Sequence, residues 1–69
     1  MITNLVGEQI RQLRLERDLS QEKLALKAGL DRTYIASVER GRRNITLVSL
    51  EKILKALDIS FSEFFEKIV

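Results

Sequence analysis

Apolar residues recur along this chain at three- and four-residue offsets, the spacing of one helical face, and the breaks between such stretches hold residues that cap helices. Met1 to Arg17 reads as a first helix. Val6, Ile10 and Leu13 form its stripe, Thr3 or Asn4 its cap, and Arg11, Gln12, Glu16 and Arg17 its outer side, with Leu15 off the stripe at an edge. Gln21 to Ala28 gathers Leu24, Ala25 and Ala28 on one side; Ser20 is placed to cap it, and Glu22 lies in the first turn, where the helix dipole favours negative charge. Gly29 supplies the left-handed residue that ends this helix, and Leu30 follows as a hydrophobic plug. Asp31 caps a third helix that buries Ile35 and Val38 and stops at Gly41. Thr46 caps a fourth, running to about Leu57, with Leu47, Leu50, Ile53, Leu54 and Leu57 on one face, Glu51, Lys52 and Lys55 outside, and Val48 off the stripe. Ser60 and Glu63 make an S-x-x-E capping box for a last helix that carries Phe61, Phe64, Phe65 and Ile68. The pattern predicts an all-α fold, a compact bundle of about five helices in a single domain over residues 1–69.

Two details sharpen the picture. The turn between the second and third helices is only Gly29, Leu30 and Asp31, which forces a steep crossing, and the small Ala25 at the contact lets the two helices approach closely. In the last helix Phe64 and Phe65 are adjacent and point roughly 100° apart. Either one fills the core while the other faces outward, or both lie along the rim of one core. In the first case Val48, Phe61, Phe64, Phe65 and Ile68 form a self-complementary patch for a two-fold homodimer.

Composition mostly removes alternatives. With 45% hydrophobic and 32% charged residues the chain is that of a folded globule. It contains no cysteine and no histidine, which takes away disulfides, thiol chemistry and the usual zinc sites; no metal site or cofactor is expected. No apolar run has the length of a membrane span and no signal pattern opens the chain, so a cytoplasmic protein is expected. Carboxylates are scattered over helix exteriors with no nucleophile or glycine-rich phosphate loop beside them, so no catalytic set emerges and the chain is not expected to be an enzyme. Net charge is only +2, but its distribution is uneven: residues 31–50 carry +2, residues 1–30 carry +1 and residues 51–69 carry −1. The basic excess is densest on and just after the third helix, and there it is all arginine: Arg32, Arg40, Arg42 and Arg43.

The segment SQEKLA, then Gly29, then IA..ERG, with Leu24, Ala25, Ala28, Gly29, Leu30, Ile35 and Val38 at the apolar, small and turn positions, resembles the DNA-binding helix-turn-helix of Cro/CI or XRE-type transcriptional regulators (the lambda-repressor-like fold). Asp18 stands where that family most often has glycine, a place that aspartate tolerates better than most residues. Within the family, LDRTYIASVERGRRNITLVSLE looks like the controller proteins of restriction–modification systems, particularly in DRTYI joined to ERxxRNxT; Asn44 and Ile45 replace the proline common elsewhere in the family. Arg14 is either a solvated surface arginine or, as the resemblance suggests, the partner of Glu39 in a partly buried ion pair.

The resemblance implies that the third helix enters a major groove. Arg32, with a fork of donors matching guanine O6 and N7, is then the first candidate for base reading, beside Thr33, Ala36 and Ser37. Arg40 lies on the same outward face. Phosphate contacts fall to Gln21, Arg40, Arg42, Arg43, Asn44 and Ser49, although Arg42 and Arg43 can also be read as a solvated charge run. Tyr34 either donates to a phosphate at the groove edge or is a ring half-buried beside the first helix. The implied partners are double-stranded DNA, a second copy of the chain, a second dimer on an adjacent operator, and RNA polymerase, with Glu22 as candidate contact. The implied activity is control of its own promoter and of a neighbouring restriction gene, activating at low occupancy and repressing at high. A phage-type repressor or antitoxin of the same fold is the alternative within this class, and a protein-interaction module without DNA binding the alternative outside it.

Overall fold

A computed structural model describes residues 1–68. Five helices follow in order: α1 (Ile2–Glu16), α2 (Gln21–Ala28), α3 (Arg32–Glu39), α4 (Leu47–Ala56) and α5 (Phe61–Ile68). Helix α3 packs on α1 and α2, α2 also lies against α4, and α5 closes the bundle on α1 and α4. The core is Val6, Ile10 and Leu13 of α1, Leu24, Ala25 and Ala28 of α2, Ile35 and Val38 of α3, and Leu50, Ile53, Leu54 and Leu57 from α4, closed by Phe64. The helical stripes thus meet in one interior.

All of the first four helices stop by the same device. A residue in the left-handed region follows each of them: Asp18 (φ 55°), Gly29 (φ 69°), Gly41 (φ 73°) and Asp58 (φ 56°). The next N–H then reaches back five residues, from Leu19 to the Arg14 carbonyl, Leu30 to Ala25, Arg42 to Ser37 and Ile59 to Leu54, at 2.9–3.1 Å. This is the Schellman geometry, which satisfies the helix's orphan carbonyls and usually brings an apolar residue back onto the helix. Leu19, Leu30 and Ile59 do so, packing against the core. Only after α3 does a charged residue, Arg42, hold that place.

At their N-termini the helices follow the expected chemistry with two exceptions. Ser20 Oγ accepts from the Lys23 N–H and Thr46 Oγ1 from the Ser49 N–H, while Ser60 and Glu63 form the reciprocal box. Asp31 occupies the cap of α3 in extended backbone, but its side chain makes no cap hydrogen bond. Neither Thr3 nor Asn4 caps α1, which begins two or three residues earlier than either would set it, at Ile2 with Met1 in the cap position. Asn4 instead lies against Gly41, where a Cβ would collide with its side chain, so the start of α1 sits on the end of α3.

Three further placements correct the reading of the sequence. Leu47 is 76% exposed; as the first residue of α4 it overhangs the end of the core that Leu50 begins. Arg17 is not simply on the outer face: its Nε donates to the Leu57 carbonyl at 2.6 Å and its Nη1 to that of Leu13 at 3.1 Å, tying the end of α1 to the end of α4. Phe64 is fully buried in its own chain and so is unavailable to a partner, while Ile68 is half-buried against the core. Of the two sequence alternatives for the aromatic pair, the first describes the structure: Phe64 goes in, and Phe65 stays 39% exposed, as does Phe61.

Gly7 has a role that the stripe did not reveal. It is buried in the middle of α1, and a Cβ there would overlap the Val38 carbonyl oxygen and lie 3.1 Å from the Glu39 carbonyl carbon. Gly7→Ala should therefore drive α1 off α3 and cost about 1–3 kcal/mol. Thermal unfolding should register this as a fall in melting midpoint of at least about 5 °C; an unchanged midpoint would mean that the contact gives way freely.

Candidate nucleic-acid interface

The C-terminal end of α3 is held on its inner side by a polar network that lies largely out of solvent. Arg14 and Glu39 are each 8% exposed. Arg14 donates from Nε to Glu39 Oε2 at 2.7 Å and from Nη2 to Oε1 at 3.0 Å, and its Nη1 donates to the Leu19 carbonyl at 2.7 Å. Of the two readings of Arg14, the ion pair is the one present. The bidentate fit matches a planar guanidinium to a planar carboxylate, and the third donor goes to the turn that ends α1. A third residue joins it: Gln21 Nε2 donates to Glu39 Oε1 at 3.1 Å. A carboxylate only accepts, so Glu39 selects the NH₂ end of the Gln21 amide and fixes which way that amide faces.

Around this anchor the candidate DNA-facing residues are accessible. Arg32 and Thr33 stand exposed at the start of α3, and Ala36 and Ser37 are half-buried further along it, while Ile35, Val38 and Glu39 form the buried side. Arg32 and Gln21 border one polar hollow of about 330 Å³, with Arg14, Ser20 and Glu22, so the start of α2 and the start of α3 meet at one surface. Beyond α3, Arg40, Arg42, Arg43 and Asn44 are all exposed. The Arg43 guanidinium lies over the Tyr34 ring, 5.0 Å from its centroid, which joins the loop to the helix. Tyr34 itself is half-buried against the core. Ser49 is half-buried in the first turn of α4, its N–H already taken by Thr46. Among the described residues no side-chain hydrogen bond or ion pair joins Arg40, Arg42 or Ser49 to the group around Arg32; Arg40 and Arg42 meet it only through backbone bonds to the Ala36 and Ser37 carbonyls.

Sequence reasoning missed the Gln21–Glu39 bond and the Tyr34–Arg43 contact. Neither has a local signal, because each pairs residues brought together only by tertiary packing. Gly7 had one: a glycine inside an amphipathic helical run marks a close backbone approach. Among the described residues no cluster of three or more carboxylates is placed to hold a metal ion, and no helix is long and apolar enough to cross a membrane.

Two short helices across a glycine turn, the second with a buried inner face and a basic outer one, define a helix-turn-helix domain. The chain belongs to the helix-turn-helix family, whose profile matches residues 10–64. It is 51% identical over 63 residues to the control protein C.MunI of a Mycoplasma species, spanning 90% of this chain and 85% of that one. Its fold is that of the restriction–modification controller protein C.AhdI from Aeromonas hydrophila, with a TM-score of 0.88, 48% identity, and coverage of 91% of this chain and 96% of the other. It also shares the shape of the controller protein C.Esp1396I, solved as a tetramer in complex with its natural 35 base-pair operator, with a TM-score of 0.93 and 46% identity over 99% of this chain and 90% of that one.

The network yields a stability prediction. Removing one partner of a buried, hydrogen-bonded ion pair leaves the other charge uncompensated, at a cost of about 3–5 kcal/mol. Arg14→Met should lower the melting midpoint by more than about 10 °C in a domain this small. The double variant Arg14→Met/Glu39→Leu should recover most of that loss. Equal melting of wild type and Arg14→Met would show the pair to be energetically idle.

Proposed function

We propose that this protein is a sequence-specific DNA-binding transcriptional regulator that acts as a homodimer and controls a restriction–modification system. The observation that carries the reading is the two-sidedness of α3: Ile35, Val38 and Glu39 lock its inner side, while Arg32 and Thr33 stand free at its N-terminal end, where a helix in a major groove meets base edges. The kinship with controller proteins supports the regulatory role, and the operator complex of C.Esp1396I supports DNA as ligand. By the same kinship the regulated genes are its own and that of a neighbouring endonuclease, with two dimers on adjacent operators as the repressing state.

Arg32 reads guanine, Thr33 meets a base edge or a thymine methyl, and Ala36 and Ser37 leave room for close approach. Gln21, Arg43 and Asn44 take phosphates, with Arg40 and Arg42 adding positive charge around them. Glu22, exposed on α2, is the proposed contact to RNA polymerase. The dimer face is revised by the fold. Phe64 leaves it, and Phe61 and Phe65, stacked with centroids 6.4 Å apart, remain outward on α5 together with the exposed Val48 and Leu47 on α4. Pairing there would set the two recognition helices about one DNA turn apart, roughly 34 Å or 10 base pairs.

Selection of bound sequences from a random DNA pool at physiological salt tests the function as a whole; recovery of no common sequence would remove it. Within a selected site, Arg32→Ala should flatten preference at one position of each half-site, a loss of about 1–3 kcal/mol in discrimination. Arg43→Ala should instead weaken all sequences alike and reduce the salt slope by about one. Titrations by fluorescence anisotropy at several salt concentrations separate the two. For the dimer, Phe65→Glu should give a folded monomer in sedimentation equilibrium, whereas Phe64→Ala should cost the fold itself about 3–5 kcal/mol. A Phe65→Glu protein that still sediments as a dimer would place the interface elsewhere.

A further inference from the structure

Arg43 sits in the loop between α3 and α4, exposed, and among the described residues no carboxylate pairs with it. A free arginine on a loop samples many rotamers and loses that freedom when it binds a phosphate. Here one neighbour limits the sampling. The Tyr34 ring, itself packed against the core, lies beneath the guanidinium with 5.0 Å between the guanidinium carbon and the ring centroid. Attraction to the face of an aromatic ring needs no hydrogen-bond acceptor, and among the described residues no hydrogen bond or ion pair takes an Arg43 N–H donor. The ring therefore restrains the arginine while leaving donors free for a phosphate or a guanine.

We propose that Tyr34 is a positioning residue for Arg43: its ring is the platform on which the loop arginine is held ready for DNA, and its contribution to binding passes through that arginine. The inference rests on the DNA-binding reading above. It replaces the role of the Tyr34 hydroxyl as a direct phosphate donor with a role for the ring face, and the two make opposite predictions. With operator DNA obtained by selection, Tyr34→Phe keeps affinity within about twofold. Tyr34→Leu, which retains an apolar side chain against the core, loses about 2- to 5-fold, the range of an exposed cation–π contact. In an Arg43→Ala background Tyr34→Leu loses nothing further, since the cycle measures coupling between the two. Tyr34→Met serves in place of Tyr34→Leu if circular dichroism shows the latter to be misfolded.

In the free protein, the Arg43 side-chain protons should show an upfield ring-current shift in wild type and Tyr34→Phe that disappears in Tyr34→Leu or Tyr34→Met. A loss in Tyr34→Phe equal to that in Tyr34→Leu overturns the proposal in favour of the hydroxyl. Additive losses for Tyr34→Leu and Arg43→Ala, or no ring-current shift, overturn it alone. An Arg43→Ala protein with undiminished affinity overturns the DNA role of the loop and the platform role with it.

Discussion

The orientation of the recognition helix depends on one carboxylate. Glu39 is the last residue of α3, buried, and three N–H donors from two other helices converge on its two oxygens. Such a group is poor as a source of net stability, because desolvating both charges consumes most of what their attraction returns. What it supplies is geometric. An ion pair with bidentate geometry has few alternative arrangements, whereas an apolar contact between α1 and α3 could slide. The backbone reinforces this register: Asn4, Gly7 and Arg14 on α1 meet Gly41, the Val38–Glu39 peptide and the Glu39 carboxylate in turn. Any rotation of α3 about its axis has to break the ion pair, push Val38 into α1, or both.

Holding α3 in this way has a consequence for its neighbours. Gln21 stands at the first turn of α2 and gives one amide hydrogen to Glu39, which leaves its other donor and its carbonyl oxygen for whatever approaches the hollow beside Arg32. Thus the group proposed to grip a phosphate and the group proposed to read a base are set by the same carboxylate. The loop on the other side is built on a contrast. Three helix ends fold an apolar residue back onto the core, but the end of α3 carries Arg42 in that place, and the chain runs out through Arg43 and Asn44 before Ile45 returns to the core. The same hydrogen-bonded turn that elsewhere closes the bundle here opens it to solvent and to polyanions.

Much of this was legible in the residues. Helix count, the core stripes, the capping serine and threonine and the Ser60–Glu63 box all follow from local rules, in which a residue's neighbours within four positions decide its state, and the left-handed Asp18 follows from the resemblance to a family with glycine there. The misreadings fall where that locality fails. Leu47 has the right offset from Leu50, but the stripe does not say where the core ends. Asn4 has the right chemistry for a cap, yet it is drawn to Gly41 from the opposite end of the domain's helical pair. Arg17 looks like an outer residue until the carbonyl of Leu57, forty positions later, is found beside it. For the site, the resemblance to XRE-type regulators supplied the Arg14–Glu39 pair, whereas nothing in the sequence pointed to Gln21 as its third member or to Tyr34 beneath Arg43.

The last helix ties folding to assembly. Phe64 enters the core at full burial while Phe65, edge-on to it with centroids 5.3 Å apart, and Phe61 face outward, Phe65 lining the same hollow as Leu47. One short helix thus completes the interior and presents the exposed aromatic face. A chain of 69 residues buries only a modest core, and the free energy that separates its folded and unfolded states is correspondingly small. If the outward face pairs as proposed, association draws on the same helix that closes the monomer, so each step favours the other and the dimer becomes the stable form at working concentration. Half-site spacing would then be set by α5 and base reading by α3, with α1 between them, packed against both. A change on the buried face of α1 would register in stability and in operator geometry together, which is why separating the two requires variants on the surface of α3 and not in its supports.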